Sequence, residues 1–438
     1  MKQKTALDIL KLGHNVFLTG PAGSGKTYLL REYIKYLKKN NIGVAVTAST
    51  GIAATHMNGQ TIHSWSGMGI SDTFTEEDYT KLKKRHYHKQ RFTDTKVLII
   101  DEISMLHAHQ LDIVNAICKK FKEPFSPFGG LQVILCGDFF QLPPVTGYGQ
   151  QARFVIESEA WAEMNPKICY LEEQHRQEDK QMLKILNDIR NRSCNQKTLD
   201  LIISRQSKSI KNDITPTRLY THNANVDVIN DLELKKIKEE AKIFEMTTKG
   251  NEFVAGALKK GCLAPEKLTL KKGAVVMFVK NNFERGYVNG TLGKVTDFDV
   301  TGMPIVKTVS GKTIIATPEK WSIEEDEKSL AEIKQIPLRL AWAITIHKSQ
   351  GMTLDAVEMD LSKSFEFGMG YVALSRVRTL DGIKLLGIND IALEVNPQVF
   401  EFDKILEELS HANVDEISKM KSLKKLQLQA DFLERCEE

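Results

Sequence analysis

No stretch of the 438-residue sequence approaches the roughly 18 apolar residues that cross a membrane, so an embedded body is excluded. The opening MKQKTALDILKLGHNVFLTG also lacks the apolar core of a secretory signal. The chain is therefore expected inside the cell, in the cytoplasm or nucleoid if the source is bacterial. Cysteine is scarce and scattered. Cys118, Cys136, Cys169, Cys194, Cys262 and Cys436 stand singly, without a CxxC pair or a close histidine, which excludes a disulfide framework and an evident zinc site. Neither sign of charge dominates, with 60 basic against 56 acidic residues, so an acidic partner such as nucleic acid has to be met by a local groove. Repeats with a 20 to 50 residue period and low-complexity tracts are absent too, which excludes a solenoid. What remains is an ordinary globular composition, 42% hydrophobic and 26% charged. At roughly 150 residues per unit the length accommodates about three folding units.

Short apolar runs ending in polar or glycine-rich turns recur at 15–20, 43–49, 96–101, 131–138 and 167–173, with helical stretches such as 27–39 and 106–121 between them. The alternation predicts a parallel sheet covered by helices. A second set, at 217–223, 274–280, 338–347, 356–361 and 383–388, predicts another α/β unit. Residues 247–326, rich in Gly, Thr and Val and lacking a long helical period, read as a β-rich insertion into it. A further small insertion is expected at 66–95, around a run with six Lys or Arg and no acid between Lys81 and Arg91. The last 38 residues, with ten acids against six bases, read as amphipathic helix.

The sharpest local signal is GPAGSGKT, which follows an apolar run and precedes a helix. Gly20, Pro21, Ala22, Gly23, Ser24 and Gly25 would turn backbone N–H groups toward the phosphates of ATP. Lys26 would reach the β and γ phosphates, and the Thr27 hydroxyl would ligate Mg2+. KVLIIDEIS ends a buried run with two acids, so Asp101 suits the magnesium and Glu102 the attacking water. The next run ends in CGDFFQLPPV, where Gln141 could sense the γ phosphate at the carboxyl edge of a parallel sheet.

Together with TASTGIAA (47–54), TIHSWSG (61–67), LEEQHRQ (171–177), ITIHKSQGMTLD (344–355) and YVALSRVR (371–378), these segments resemble the ordered motifs of superfamily one helicases. The stretch from Gln110 through GDFFQLPPV resembles the signature of the PIF (petite integration frequency) family of DNA helicases. The resemblance implies two RecA-like lobes: 1–65 with 96–180, and 181–246 with 327–400. It leaves 66–95 as a wedge-like insertion, 247–326 as a β-barrel-like insertion and 401–438 as a helical appendage. It further implies Arg176 and Arg376 as arginine fingers, Gly351 beside the nucleotide and Gln3 as an adenine reader. Thr47, Ser49, His63 and Ser64 on lobe one, and Thr345, His347 and Lys348 on lobe two, would hold single-stranded DNA by its phosphates. The implied activity is 5′ to 3′ movement on single strands by a monomer. Tailed duplexes would be unwound, as would G-quadruplexes and RNA–DNA hybrids, in repair, recombination and telomere maintenance. Having little before the P-loop, the chain is not expected to carry the functions that longer members house there. Two alternatives stay open: a RecD-like or conjugation-type helicase, and an ATP-switched DNA-binding protein that does not unwind.

Overall fold

Six short strands with few polar residues facing out can be stable only between two layers of helix, and lobe one is built that way. The computed structural model describes residues 1–437 other than 58, 70–72, 85, 147–151, 175–178, 207, 209, 211–215, 222–225, 283 and 326–327. Strands β1 (Val16–Thr19), β4 (Val97–Asp101) and β5 (Gln132–Cys136) are buried at every position. With β2 (Val44–Ala48), β3 (Gln60–Thr61) and β6 (Lys167–Tyr170) they form one sheet in the order β3-β2-β4-β5-β1-β6. Every pairing in it is parallel. The carboxyl ends of β1, β4 and β5 therefore lie side by side on one edge, where the P-loop, Asp101 and Gln141 follow them.

The C-terminal helices belong to this lobe. The helix Pro397–Lys419 runs along the outermost strand: the Tyr170 N–H donates to Ser410 Oγ at 3.1 Å, and Asn413 Nδ2 donates to the Ile168 carbonyl at 3.0 Å. An edge that would otherwise present open backbone groups is thereby covered. The last helix, Ser422–Glu437, lays Phe432 over Gly13, a left-handed residue (φ 80°) where a Cβ would stand 2.5 Å from the ring. Ile417 and Phe432 complete a core with Leu10, Leu29, Leu30 and Tyr33 of the first two helices, Gln3–Lys11 and Lys26–Lys39.

Lobe two carries a smaller parallel sheet, ordered Ala343–Thr345, Thr217–Tyr220, Val357–Leu361, Ile383–Ile388. The expected strand at 274–280 and the first part of the run 338–347 lie elsewhere, while the rest of that run, Ala343–Thr345, joins the parallel sheet as expected. Val275–Phe278 and Leu338–Leu340 pair antiparallel with each other at one side of a five-stranded sheet that also holds Leu292–Phe298, Pro304–Thr308 and Thr313–Ile315. Val275–Phe278 is buried at every position, and a strand covered on both faces reads as a continuous apolar run whatever its pairing, which is why the parallel assignment failed there. Two smaller antiparallel sheets and a helix, Glu252–Gly261, accompany the five-stranded one. Two glycines in that helix blur its period.

The basic run at 81–91 spans two short helices, Glu76–Lys83 and His86–Asp94. Arg91 is buried, and its Nη1 donates to the carbonyls of Ser64 (3.2 Å) and Trp65 (2.8 Å). That charge is thus committed to bracing the helix Ile62–Ser66.

Candidate active site

The P-loop has the backbone that its glycines allow. Gly20, Gly23 and Gly25 take φ of 138°, 92° and 85°, and a Cβ on Gly20 would stand 2.3 Å from the Leu171 carbonyl oxygen. Lys26 opens the helix that follows, and its Nζ donates to the carbonyls of Gly20 (2.7 Å) and Pro21 (3.0 Å). Burial lowers its pKa below the usual lysine value, with the charge of Asp138 opposing. Ser24 is fully buried and its Oγ has no hydrogen-bond partner among the described residues. Gln3 braces the loop, its Nε2 donating to the Ser24 carbonyl at 3.3 Å, but it does not line the cleft beside it.

That cleft, of about 620 Å³, is walled by both lobes. Gly23, Gly25, Lys26, Thr27, Asp101, Glu102 and Gln141 line it from lobe one, and Gly351, Arg376 and Arg378 from lobe two. Asn281, Val288 and Asn289 enter from the β-rich segment. Glu102 sits in a left-handed backbone (φ 51°, ψ 46°), costly for a residue with a Cβ. Its carbonyl is braced by Ser49 Oγ at 2.6 Å, and its N–H donates to Asp101 Oδ1 at 2.9 Å. Burial, helped by the neighbouring Asp101 charge, raises the Glu102 carboxyl to about 7. Asp101 is raised as well, by burial against hydrogen bonds from the Cys136 thiol and the Glu102 N–H. Gln141 is buried, with Nε2 3.5 Å from Asp138 Oδ2 and Oε1 unpartnered among the described residues. Arg376 is almost fully buried, held by Nε to the Val372 carbonyl (3.0 Å) and Nη2 to Ser375 Oγ (2.7 Å). Arg176 lies outside the described residues. Thr27 and Asp101 offer one hydroxyl and one carboxylate, a hard-oxygen pair that fits Mg2+, an ion which takes its other ligands from phosphate and water.

The DNA-facing candidates divide. His347 and Lys348 are half-buried and line a second pocket of about 120 Å³ together with Thr50, Ala53 and Glu102. His63 and Ser64 are half-buried on a separate short helix capped by Thr61. Three expected hydroxyls also take part in bonds within the fold. Thr47 is buried and donates to the Ile99 carbonyl at 2.7 Å, Ser49 braces Glu102, and Thr345 caps a helix turn by accepting from the Lys348 N–H.

Several site residues were not anticipated. The Tyr371 hydroxyl accepts from the Ala22 N–H at 3.1 Å and donates to Asp138 Oδ2 at 3.3 Å, which ties lobe two to the P-loop. Asp138 in turn pairs with Arg190 at 2.7 Å, and Arg190 reaches Tyr170 Oη at 2.6 Å and Asp403 at 3.4 Å. Gln350 Nε2 donates to Glu102 Oε2 at 3.0 Å. Asp138, Tyr371 and Gln350 all lie inside segments already singled out, so the available signal was a polar residue beside each assigned one.

Residues 2–198 match the family described as PIF1-like helicase, and residues 252–298 match the 2B domain of the DNA helicase Pif1. A Psychrobacter protein named ATP-dependent DNA helicase Pif1 is 47% identical, over 94% of this chain and 71% of its own length. The chain belongs to the PIF1-like helicase family. It spans 63% of the length of a Xenopus laevis relative named ATP-dependent DNA helicase PIF1, which is 37% identical over 92% of this chain. Among solved PIF1-like helicases, a Bacteroides Pif1 in complex with ADP-AlF4 superposes with a TM-score of 0.81 at 32% identity, covering 94% of this chain and 97% of that one. Bacteroides Pif1 bound to single-stranded DNA gives 0.65 at 31% identity, covering 93% and 96%. The PIF1-like fold thus accounts for the two RecA-like lobes and for the β-rich segment that reaches the cleft.

Proposed function

We infer that this chain is an ATP-dependent DNA helicase whose motor is the cleft between its two lobes. The observation that carries this is the meeting in one cleft of Lys26, Glu102 and Gln141 from lobe one with Arg376 from lobe two. Hydrolysis driven there is coupled to any movement of one lobe against the other. Lys26 exchanges its two loop carbonyls for the β and γ phosphates. Glu102 accepts the proton of a water whose oxygen bonds to the γ phosphorus as the bond to the bridging oxygen breaks, giving ADP and inorganic phosphate. Arg376, with Arg176, meets the charge that develops on the transferred group. Thr27 and Asp101 would hold magnesium, which would supply charge neutralisation at the phosphates. Gln141 and Tyr371 stand where they can report the γ phosphate to lobe two.

Single-stranded DNA passes His63 and Ser64 on lobe one and His347 and Lys348 on lobe two, held by phosphates without base reading. The chain acts as a monomer and moves 5′ to 3′, the direction that the family resemblance supports. Tailed duplexes are its substrates, and G-quadruplexes and RNA–DNA hybrids extend the range by the same resemblance. Steady-state ATP hydrolysis with and without an oligo-dT strand tests the core of this. The rate is expected to rise strongly with DNA and to lose that rise as salt increases. Arg376→Ala should reduce the stimulated rate by about 10³-fold or more while single-strand affinity persists. A DNA-independent, salt-insensitive rate contradicts the assignment.

A further inference from the structure

Glu102 stands between two cavities. It lines the nucleotide cleft and also the smaller pocket that His347 and Lys348 line. Gln350 lines only the smaller pocket, so its hydrogen bond ties Glu102 Oε2 to that pocket's wall and not to the wall of the cleft. The hydrogen bond crosses the lobe boundary at 3.0 Å, between residues 248 positions apart. Gln350 is buried, and its own Oε1 has no partner among the described residues.

The surroundings leave Glu102 one freedom. Its backbone is fixed in the left-handed region and tied by Ser49, so only side-chain torsions can carry the carboxylate from one cavity to the other. The lever on the other side is short and stiff. Gln350 caps the single helical turn Ile346–Ser349, which Thr345 closes from below and Ser349 Oγ tightens by donating to the Ile346 carbonyl at 2.7 Å. His347 and Lys348 are part of that turn, so a phosphate that draws on them moves Gln350 as well.

We propose that Gln350 is a positioning residue that withholds Glu102 from the attacking water until single-stranded DNA engages His347 and Lys348. This rests on the DNA-dependent ATPase assigned above. DNA then stimulates hydrolysis by breaking a restraint, and the restraint is a single hydrogen bond.

Gln350→Met keeps the side chain's length and removes both polar atoms. Steady-state ATP hydrolysis by the full chain, with and without saturating oligo-dT, is the readout, with single-strand affinity by fluorescence anisotropy alongside. In the variant, DNA-free kcat is expected to rise roughly 3- to 10-fold, with DNA-saturated kcat held within about twofold and KM for ATP unchanged. The stimulation ratio falls by the same factor. Should the Met variant fail to fold, Gln350→Ala, which removes the donor without adding bulk or charge beside Glu102, is expected to raise DNA-free kcat in the same way. Equal loss of both rates would make Gln350 merely structural and overturn the proposal, as would an unchanged ratio. A parent chain that DNA does not stimulate would instead overturn the functional assignment, so the two failures are separable.

Discussion

Arg190 meets two carboxylates and can neutralise only one. Asp138, at 2.7 Å, takes the closer pairing, and Asp403, at 3.4 Å, is the surplus acid of the cluster. Burial, opposed by Arg190, lifts the Asp403 carboxyl to about 6. A folded pKa above the unfolded value means the folded state binds that proton more tightly. Its contribution to stability is therefore complete below about pH 4 and lost as pH rises through about 6. Asp403→Asn keeps an oxygen to accept from the Tyr170 hydroxyl, which donates to Asp403 Oδ2 at 3.0 Å. In urea titrations the variant's stability relative to the parent is expected to rise by on the order of 1 to 3 kcal/mol between pH 4 and pH 8. A constant difference would mean that Asp403 does not titrate there. At this scale the sequence pointed to Lys26 and Glu102 through the chemistry of their motifs, and to Arg376 through the family resemblance. It was silent on Asp138, Tyr371 and Gln350, whose roles arise from partners 233 to 349 positions away.

Among elements, the helix Pro397–Lys419 shows how an ambiguous segment acquires a function in the fold. In the sequence, residues 401–438 read only as an amphipathic helical appendage. In the structure the helix seals the edge strand β6 with two side-chain hydrogen bonds to backbone and one ion pair, Lys167 to Glu416 at 2.5 Å. The two hydrogen bonds should matter more, because the ion pair is largely exposed and the backbone groups are not. Asn413→Ala leaves the Ile168 carbonyl buried without that donor and is expected to cost about 1 to 3 kcal/mol in urea unfolding. A loss below about 0.5 kcal/mol would show that this edge needs no such seal. Five of the six strands of lobe one could be read from sequence because each apolar run led directly into a motif, whereas the two-residue polar strand Gln60–Thr61 carries no apolar run. Val275–Phe278 could not be assigned to a sheet, since burial on both faces hides the difference between parallel and antiparallel neighbours.

For the whole molecule, the near-cancelling charges conceal an uneven chain. The first 50 residues carry eight bases against two acids, and the last 38 carry an excess of four acids. The fold brings these ends together, since the acidic tail packs on the first helices of lobe one. What the lobes share is the cleft, which Gln350 and Tyr371 bridge from lobe two to Glu102 and Ala22 of lobe one. A motor needs such bridges to depend on nucleotide and DNA, so that closing the cleft and releasing it alternate. Strand separation on duplexes bearing a 5′ or a 3′ single-stranded tail, with ATP, tests this most directly. ATP-dependent separation of the 5′-tailed duplex, and not of the 3′-tailed one, is the expected result. Hydrolysis without separation of either would contradict it.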